Sequence, residues 1–582
     1  VTALLGAALA VAVPADAASA RVASVRYAVA ERVCSAPAPG DKACFAMKLV
    51  LVRKDVPGAQ PMAVAGALGS GPRGGYSPLD LAKVYGYDPA APADMTVAIV
   101  DAYDDPKAKA DLNHFDNHYG LLPAGETATS FTKVNQAGRS APLPFVSRSW
   151  SVEIALDLQA VRAVCNTCRI LLVEANSSSS SDLARAVNTA ARMGADVISN
   201  SYGGPERASE PLRIRQAYDH PGVVITASTG DDGWYSWDFA NNGSKGWSYN
   251  RPNTPAAYRT VVAVAGTKLT TNASGFRAHE TVWNGNGPHD RNGLRNAFFR
   301  GAHGASGGGC STQFAAPAWQ AAAAGFHNTG CGAHRVVGDV AAVGDPATGF
   351  SIYDSYQQVG WMVLGGTSLS SPLIGAMWAL AGGADAEPYP AKTLYDRLKY
   401  NPASIADVTR GSNAFCGGDP KSVCSAALRA QVQTGNPNRL LNGNAHYRQG
   451  WAGLLDCGYP KTATGTIAAD KQCNATTGYD GASGVGAPHG LTLFKPFITA
   501  SISGPTSLAA GAEGAWSAVD VTDAISGAHV TTYRWNWGDN SAMTSGSSAT
   551  HTYGTPGNYT IRLTMTDDHN EKATVFLNVA VS

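Results

Sequence analysis

Ser368 has the strongest chemical setting in the chain. It lies in Gly365-Gly366-Thr367-Ser368-Leu369-Ser370-Ser371-Pro372, which runs into the apolar stretch 373–381. Glycines permit a tight turn and a proline is tolerated in a helix's first turn, so the octet predicts a loop that becomes a buried helix at Ser368. The free N–H groups and dipole of a helix start favour the negative charge that acyl transfer from a serine develops. A simple capping serine would look the same. A nucleophilic hydroxyl also needs a base. None of the 13 histidines stands in a His-Gly-Thr-His-like setting; His303-Gly304 is followed by Ala305-Ser306. Two carboxylates are available instead. In 150–160, Ile154, Asp157 and Leu158 recur at helical spacing, and Glu153 and Asp157 are four residues apart, which puts both acids on one helix face. Like charges so placed disfavour a helix by about 0.2–0.5 kcal/mol, and no nearby lysine relieves them. A solvated acidic edge is the alternative reading of that pair.

Together with Ser228-Thr229-Gly230-Asp231-Asp232-Gly233, these pieces resemble the sedolisins, or serine-carboxyl peptidases. That family shows a Glu-x-x-x-Asp helix, a Gly-Asp-x-Gly loop and a Gly-Thr-Ser-x-x-x-Pro nucleophile in the same chain order. The resemblance spans roughly 76–488. It implies a subtilisin-like fold in which Ser368 attacks, Glu153 replaces the histidine base, Asp157 orients it and Asp231 helps form the oxyanion hole. It also makes Ser201-Tyr202-Gly203 a strand end that pairs with the substrate backbone. A calcium ion is implied as well, held by Asp407, Val408, Thr476, Gly478 and Asp480, with Val408, Thr476 and Gly478 acting through carbonyls; such all-oxygen shells suit calcium. Ordinary loop turns would use the same residues.

The elements that must position these groups alternate: apolar runs at 95–100, 170–175, 197–201, 223–228 and 261–264, with helical patterns at the Glu153 segment and 182–193. Such alternation predicts βαβ units and a mostly parallel sheet flanked by helices, with active residues at the carboxyl ends of strands. Asp231 follows one such run directly. Asp101 ends another and resembles the aspartate of ordinary subtilisins; with no histidine motif to orient, it reads as a structural acid near the site.

The 582 residues allow one large domain and a small one, and zero net charge with 15% charged residues gives no basic field for nucleic acid or anionic membrane. The expected divisions are a secretory signal over 1–20 whose basic start is missing, a short amino-terminal segment over 21–75, a peptidase domain over 76–496, and an all-β, immunoglobulin-like sandwich over 501–582. The 21–75 segment, with a strand at 47–52, is far shorter than the propeptide of most sedolisins and reads as a remnant propeptide or a collar. The last segment, with Trp535-Asn536-Trp537-Gly538-Asp539, resembles a PKD domain. Exposed aromatics there would bind an insoluble polymer, although the alternation of Trp535 and Trp537 puts at least one in the core. The ten cysteines fall in neighbouring pairs, Cys34/Cys44, Cys165/Cys168, Cys310/Cys331, Cys416/Cys424 and Cys457/Cys473, for which sequential disulfides are the simplest pairing.

The resulting expectation is a secreted, monomeric serine-carboxyl endopeptidase, most active in acid, with no membrane anchor. Its alternatives are a secreted glycoside hydrolase using the paired carboxylates, which leaves Ser368 and Asp231 idle, and a non-catalytic adhesin binding through the sandwich.

Overall fold

The computed structural model describes residues 26–35, 37–38, 40–52, 60–62, 69–121, 131–235, 251–285, 304–356, 360–384, 387–414 and 470–582. The expected signal at 1–20 and the cysteines at 416, 424 and 457 lie outside them. Cys34–Cys44, Cys165–Cys168 and Cys310–Cys331 form disulfides, and Cys473 is also disulfide-bonded. Among the described residues no helix is long and apolar enough to cross a membrane.

A central sheet runs in the order Arg277–Val282, Val262–Thr271, Val224–Ser228, Val197–Asn200, Thr96–Ala102, Arg169–Ala175, Phe131–Asn135, with Val340–Val343 also on Val262–Thr271. All its pairings are parallel except that of the edge strand Arg277–Val282. The strands are near-continuous apolar runs because both faces are covered. Val97 and Ile99 join one core with the helices Arg148–Val164 and Thr367–Leu380. Ala98, Val100 and Ala102 join the opposite core with Ser180–Arg192. That alternation is the two-residue period of a strand.

The amino-terminal segment is built into the body. Strands Arg26–Arg32, Met47–Val52 and Gln60–Met62 join Phe350–Asp354 and Gly360–Gly365 in one antiparallel sheet, where Met47–Val52 pairs with the strand that leads to Ser368.

From Ile498 onward the chain forms two sheets, one of Ile498–Ser503, Glu513–Asp523 and Ser548–Thr552, the other of Ser507–Leu508, Lys572–Val581, Gly557–Asp567, Val530–Asn536 and Thr544–Ser545. Trp516, Trp535, Trp537 and Tyr553 fill the space between them. Both Trp535 and Trp537 are buried, and the Trp535 indole donates to the Gly546 carbonyl at 2.8 Å. The pair thus forms core, and the aromatic platform expected for a polymer is not built from it.

Candidate active site

Glu153 and Asp157 sit one turn apart on the helix Arg148–Val164, capped by Ser147 accepting from the Trp150 N–H. Both acids are fully buried, so the solvated-edge alternative does not hold. The Glu153 carboxyl is pushed well above its ordinary range, first by burial and then by the charge of Asp157; the Ser368 hydroxyl and the Ala46 N–H pull back in part. Asp157 is pushed up by burial and then by Asp101, with the Ser201 hydroxyl opposing. Asp101, whose buried oxygens meet no hydrogen-bond partner among the described residues, is raised by burial and by Glu153. It is therefore electrostatically part of the acid group, a coupling that residue types alone did not reveal.

Ser368 is the second residue of the helix Thr367–Leu380. The glycine before it is required: Gly366 has φ 98°, and a Cβ there would lie 1.8 Å from the Phe45 carbonyl oxygen and 2.6 Å from Asp231 Oδ2. Pro372 lies inside the helix rather than in its first turn, which corrects the expectation. Having no N–H, it leaves the Ser368 carbonyl without its intrahelical partner. Ser201 takes that place, its hydroxyl donating to the Ser368 carbonyl at 3.3 Å. In return Ser368 Oγ donates to the Ser201 carbonyl at 3.1 Å and accepts from the Phe45 N–H at 3.1 Å.

Asp231 follows the strand Val224–Ser228. Its Oδ1 accepts from the Thr367 N–H at 2.7 Å and the Thr367 hydroxyl at 2.9 Å, and that hydroxyl accepts from the Gly230 N–H at 3.1 Å. Thr367, the middle of the Gly-Thr-Ser run, is thus a positioning residue that the motif contained and the sequence reading left without a role. Asp231 Oδ2 is buried with no partner among the described residues. Burial pushes this carboxyl up to about 8, with the Thr367 N–H opposing.

The strand end Ser201-Tyr202-Gly203 already pairs with a strand of the same chain, Ala43 opposite Gly203 and Cys44 opposite Tyr202. The Tyr202 side chain points into the core, bonding Asn200 Oδ1 at 2.7 Å and the Tyr218 hydroxyl at 3.0 Å, so Tyr202 meets the neighbouring strand through its backbone alone. At the expected calcium loop, Asp480 is buried and accepts from Thr476, Ala482 and Ser483 N–H groups, while Asp407 accepts from the Gly478 N–H. Burial pushes Asp480 up to about 7.

Many buried acids here have folded values well above the carboxyl range near 4 that the unfolded chain shows: Asp231 and Glu174 at about 8, Asp480 and Asp105 at about 7, and the Glu153 group higher than usual. A raised folded pKa contributes stability that is complete below the unfolded value and is lost as pH rises through the folded one. Melting temperature is therefore expected to fall between about pH 4 and pH 8; a melting temperature that climbs toward neutrality would contradict these protonation states.

A subtilase family model matches residues 75–399 and a PKD domain model matches 499–581. Sedolisin of Pseudomonas sp. (strain 101) is 28% identical over 389 residues, covering 63% of this chain and 62% of that protein. Kumamolisin of Bacillus sp. (strain MN-32) is 29% identical over 355 residues, covering 58% and 57%. The chain thus spans about three fifths of the length of these relatives. Among solved structures, Pseudomonas sedolisin complexed with two molecules of pseudo-iodotyrostatin matches with TM-score 0.51 and 25% identity, covering 72% of this chain and 96% of that one. The chain belongs to the subtilase family and, within it, to the sedolisins, here with a PKD domain following the subtilase unit.

Proposed function

We propose that the protein is a secreted serine-carboxyl endopeptidase acting on proteins or peptides in acid. The observation that carries this is that two consecutive backbone amides reach Ser368 and Glu153 together, the Phe45 N–H donating to Ser368 Oγ at 3.1 Å and the Ala46 N–H to Glu153 Oε2 at 2.9 Å, while Asp231 stands on the neighbouring residue Thr367 with one oxygen unspent. In this reading Ser368 attacks the peptide carbonyl while Glu153 accepts its proton and passes it to the leaving amine. Asp157 holds Glu153, and the protonated Asp231 donates to the oxyanion. The backbone of 201–203 would hold the substrate as an added strand. Casein digestion in acid by the purified chain tests the reading, run beside reducing-sugar release from common glycans. Sugar release without casein digestion would favour a glycosidase.

Calcium belongs to the same proposal. The donors are hard oxygens: Asp407 and Asp480 from two segments, the carbonyls of Val408, Thr476 and Gly478, and a buried Thr476 hydroxyl that has no partner among the described residues. Lys471 already places its ammonium on the Thr477 and Tyr479 carbonyls of the same loop, at 2.7 and 3.1 Å. Calcium bound only to the folded state at a hundredfold excess over Kd would add about 2.7 kcal/mol. A chelator is expected to lower the melting temperature of the wild type and to leave that of Asp407→Ala unchanged; indifference of the wild type to chelator would remove calcium from the proposal.

A further inference from the structure

We propose that Glu210 and Thr254 form a subsite for a lysine side chain on the fourth residue ahead of the bond that is cut, which makes proteins carrying lysine at that place the preferred substrates. The inference rests on the peptidase reading above and names a substrate class for it. Its basis is where Lys42 lies. The Phe45 N–H meets Ser368 Oγ and the Ala46 N–H meets Glu153 Oε2, so the backbone between these two amides marks the place of a reacting peptide unit. With Phe45 as the first residue ahead of that place, Lys42 is the fourth.

The backbone leading there is held from both sides. Ala43 and Cys44 pair antiparallel with Gly203 and Tyr202. On the other side the Lys42 N–H donates to the Ser178 carbonyl at 2.8 Å, and Asp41 bridges to Ser179. An extended peptide in this channel is fixed in register, which fixes the direction of each side chain. At the fourth position that direction crosses a glycine. The register that sets Ala43 beside Gly203 brings Lys42 beside Gly204, whose other neighbour is Thr254. Thr254 thus stands two strands away, about 10 Å at ordinary sheet spacing, with no side chain on Gly204 in between. Only a long side chain reaches across. Lys42 Nζ lies 2.7 Å from Thr254 Oγ1 and 3.7 Å from Glu210 Oε1.

The walls of this subsite belong to the peptidase body and suit a cation. Glu210 Oε2 is taken by the Tyr258 hydroxyl, while Oε1 faces the ammonium. The Lys42 side chain is 6% exposed and that of Glu210 7%, so little water reaches either group, and loss of the cation would strand a buried carboxylate. Burial pushes the Lys42 ammonium below its ordinary value, with the Glu210 charge opposing and that of Arg207 adding to the fall. Glu210 is therefore the group that keeps a cation charged here. A neutral side chain of the same length would fill the channel and leave the carboxylate unpaired, and an acidic one would meet its repulsion. Such discrimination by a buried polar partner exceeds what an apolar pocket can give.

The test uses quenched fluorescent peptides of the form X-Ala-Ser-Phe-Ala-Leu, with X lysine, norleucine or glutamate, at about pH 6, above the ordinary carboxyl range. Norleucine is lysine without its ammonium. For the cut after phenylalanine, kcat/KM is expected to be about 10 to 10²-fold higher with lysine than with norleucine, the usual effect of one hydrogen bond to a charged group, and lowest with glutamate. Glu210→Gln keeps an acceptor for Tyr258 and loses the charge. It should bring the lysine peptide down to the norleucine value and leave the norleucine peptide unchanged, which also shows that the variant folds. Equal turnover of the lysine and norleucine peptides, a lysine preference that survives Glu210→Gln, or a loss in that variant shared by both peptides would overturn the inference and leave the peptidase reading standing. So would casein digestion without cutting of the lysine peptide. If the wild type cuts neither casein nor any of the peptides, the peptidase reading fails and takes the inference with it.

Discussion

Replacing Ser368 with alanine is expected to abolish casein digestion, by on the order of 10⁴ to 10⁶-fold in kcat, the range seen when a nucleophile is removed from a coupled serine site. The protein should still fold. Ser368 Oγ makes two hydrogen bonds, to the Ser201 carbonyl and from the Phe45 N–H, worth about 1 kcal/mol each. The Phe45 N–H keeps its second acceptor on Ser201, so no buried donor is orphaned. A normal melting curve with lost turnover is the expected pair of results. Turnover within tenfold of wild type would show that Ser368 is not the attacking group.

The second large effect concerns pH. Asp231 donates to an oxyanion only while protonated, and its carboxyl is pushed up to about 8 by burial. Activity should therefore decline as pH rises through about 8, where the donor becomes a charge that repels the oxyanion. The lower limit belongs to the Glu153 and Asp157 pair. Glu153 must be ionised to accept a proton, both acids are raised by burial, and the fall toward low pH should begin above the ordinary carboxylate range and report the coupled pair. Asparagine fits the site of Asp231: its oxygen can take the two Thr367 donors while its amide nitrogen occupies the unspent position. Asp231→Asn should keep the acidic limb and lose the alkaline one, whereas Asp231→Ala should cost about 10² to 10³-fold in kcat, the usual effect of deleting an oxyanion donor. An alkaline limb unmoved in Asp231→Asn would assign it to another group.

What could be read from residue order was mostly local. Four-residue spacing put Glu153 and Asp157 on one helix face because helical geometry alone decides that. Gly366 marked the turn before Ser368 because only glycine tolerates the approach of Phe45 and Asp231. Apolar runs marked the parallel strands because both sheet faces are covered. The rest was not local. The docking of Ala43–Cys44 on Tyr202–Pro205 joins segments about 160 residues apart, and extended pairing over that distance leaves no periodic trace in either segment. The tie between Asp101 and the acid pair likewise depends on where two strands and a helix meet. Trp535 and Trp537 belong with what was local: residues two apart in an extended chain face the same side, and both are buried in the sandwich.

The exchange between Ser201 and Ser368 gives the molecule a property of its own. Each residue holds the other's carbonyl, so the strand end proposed to receive a substrate backbone and the helix that carries the hydroxyl share one mount. Pro372 makes this possible by releasing the helical carbonyl that Ser201 captures. On the proposed function, registration between ruler and blade is then set inside the protein before any peptide arrives.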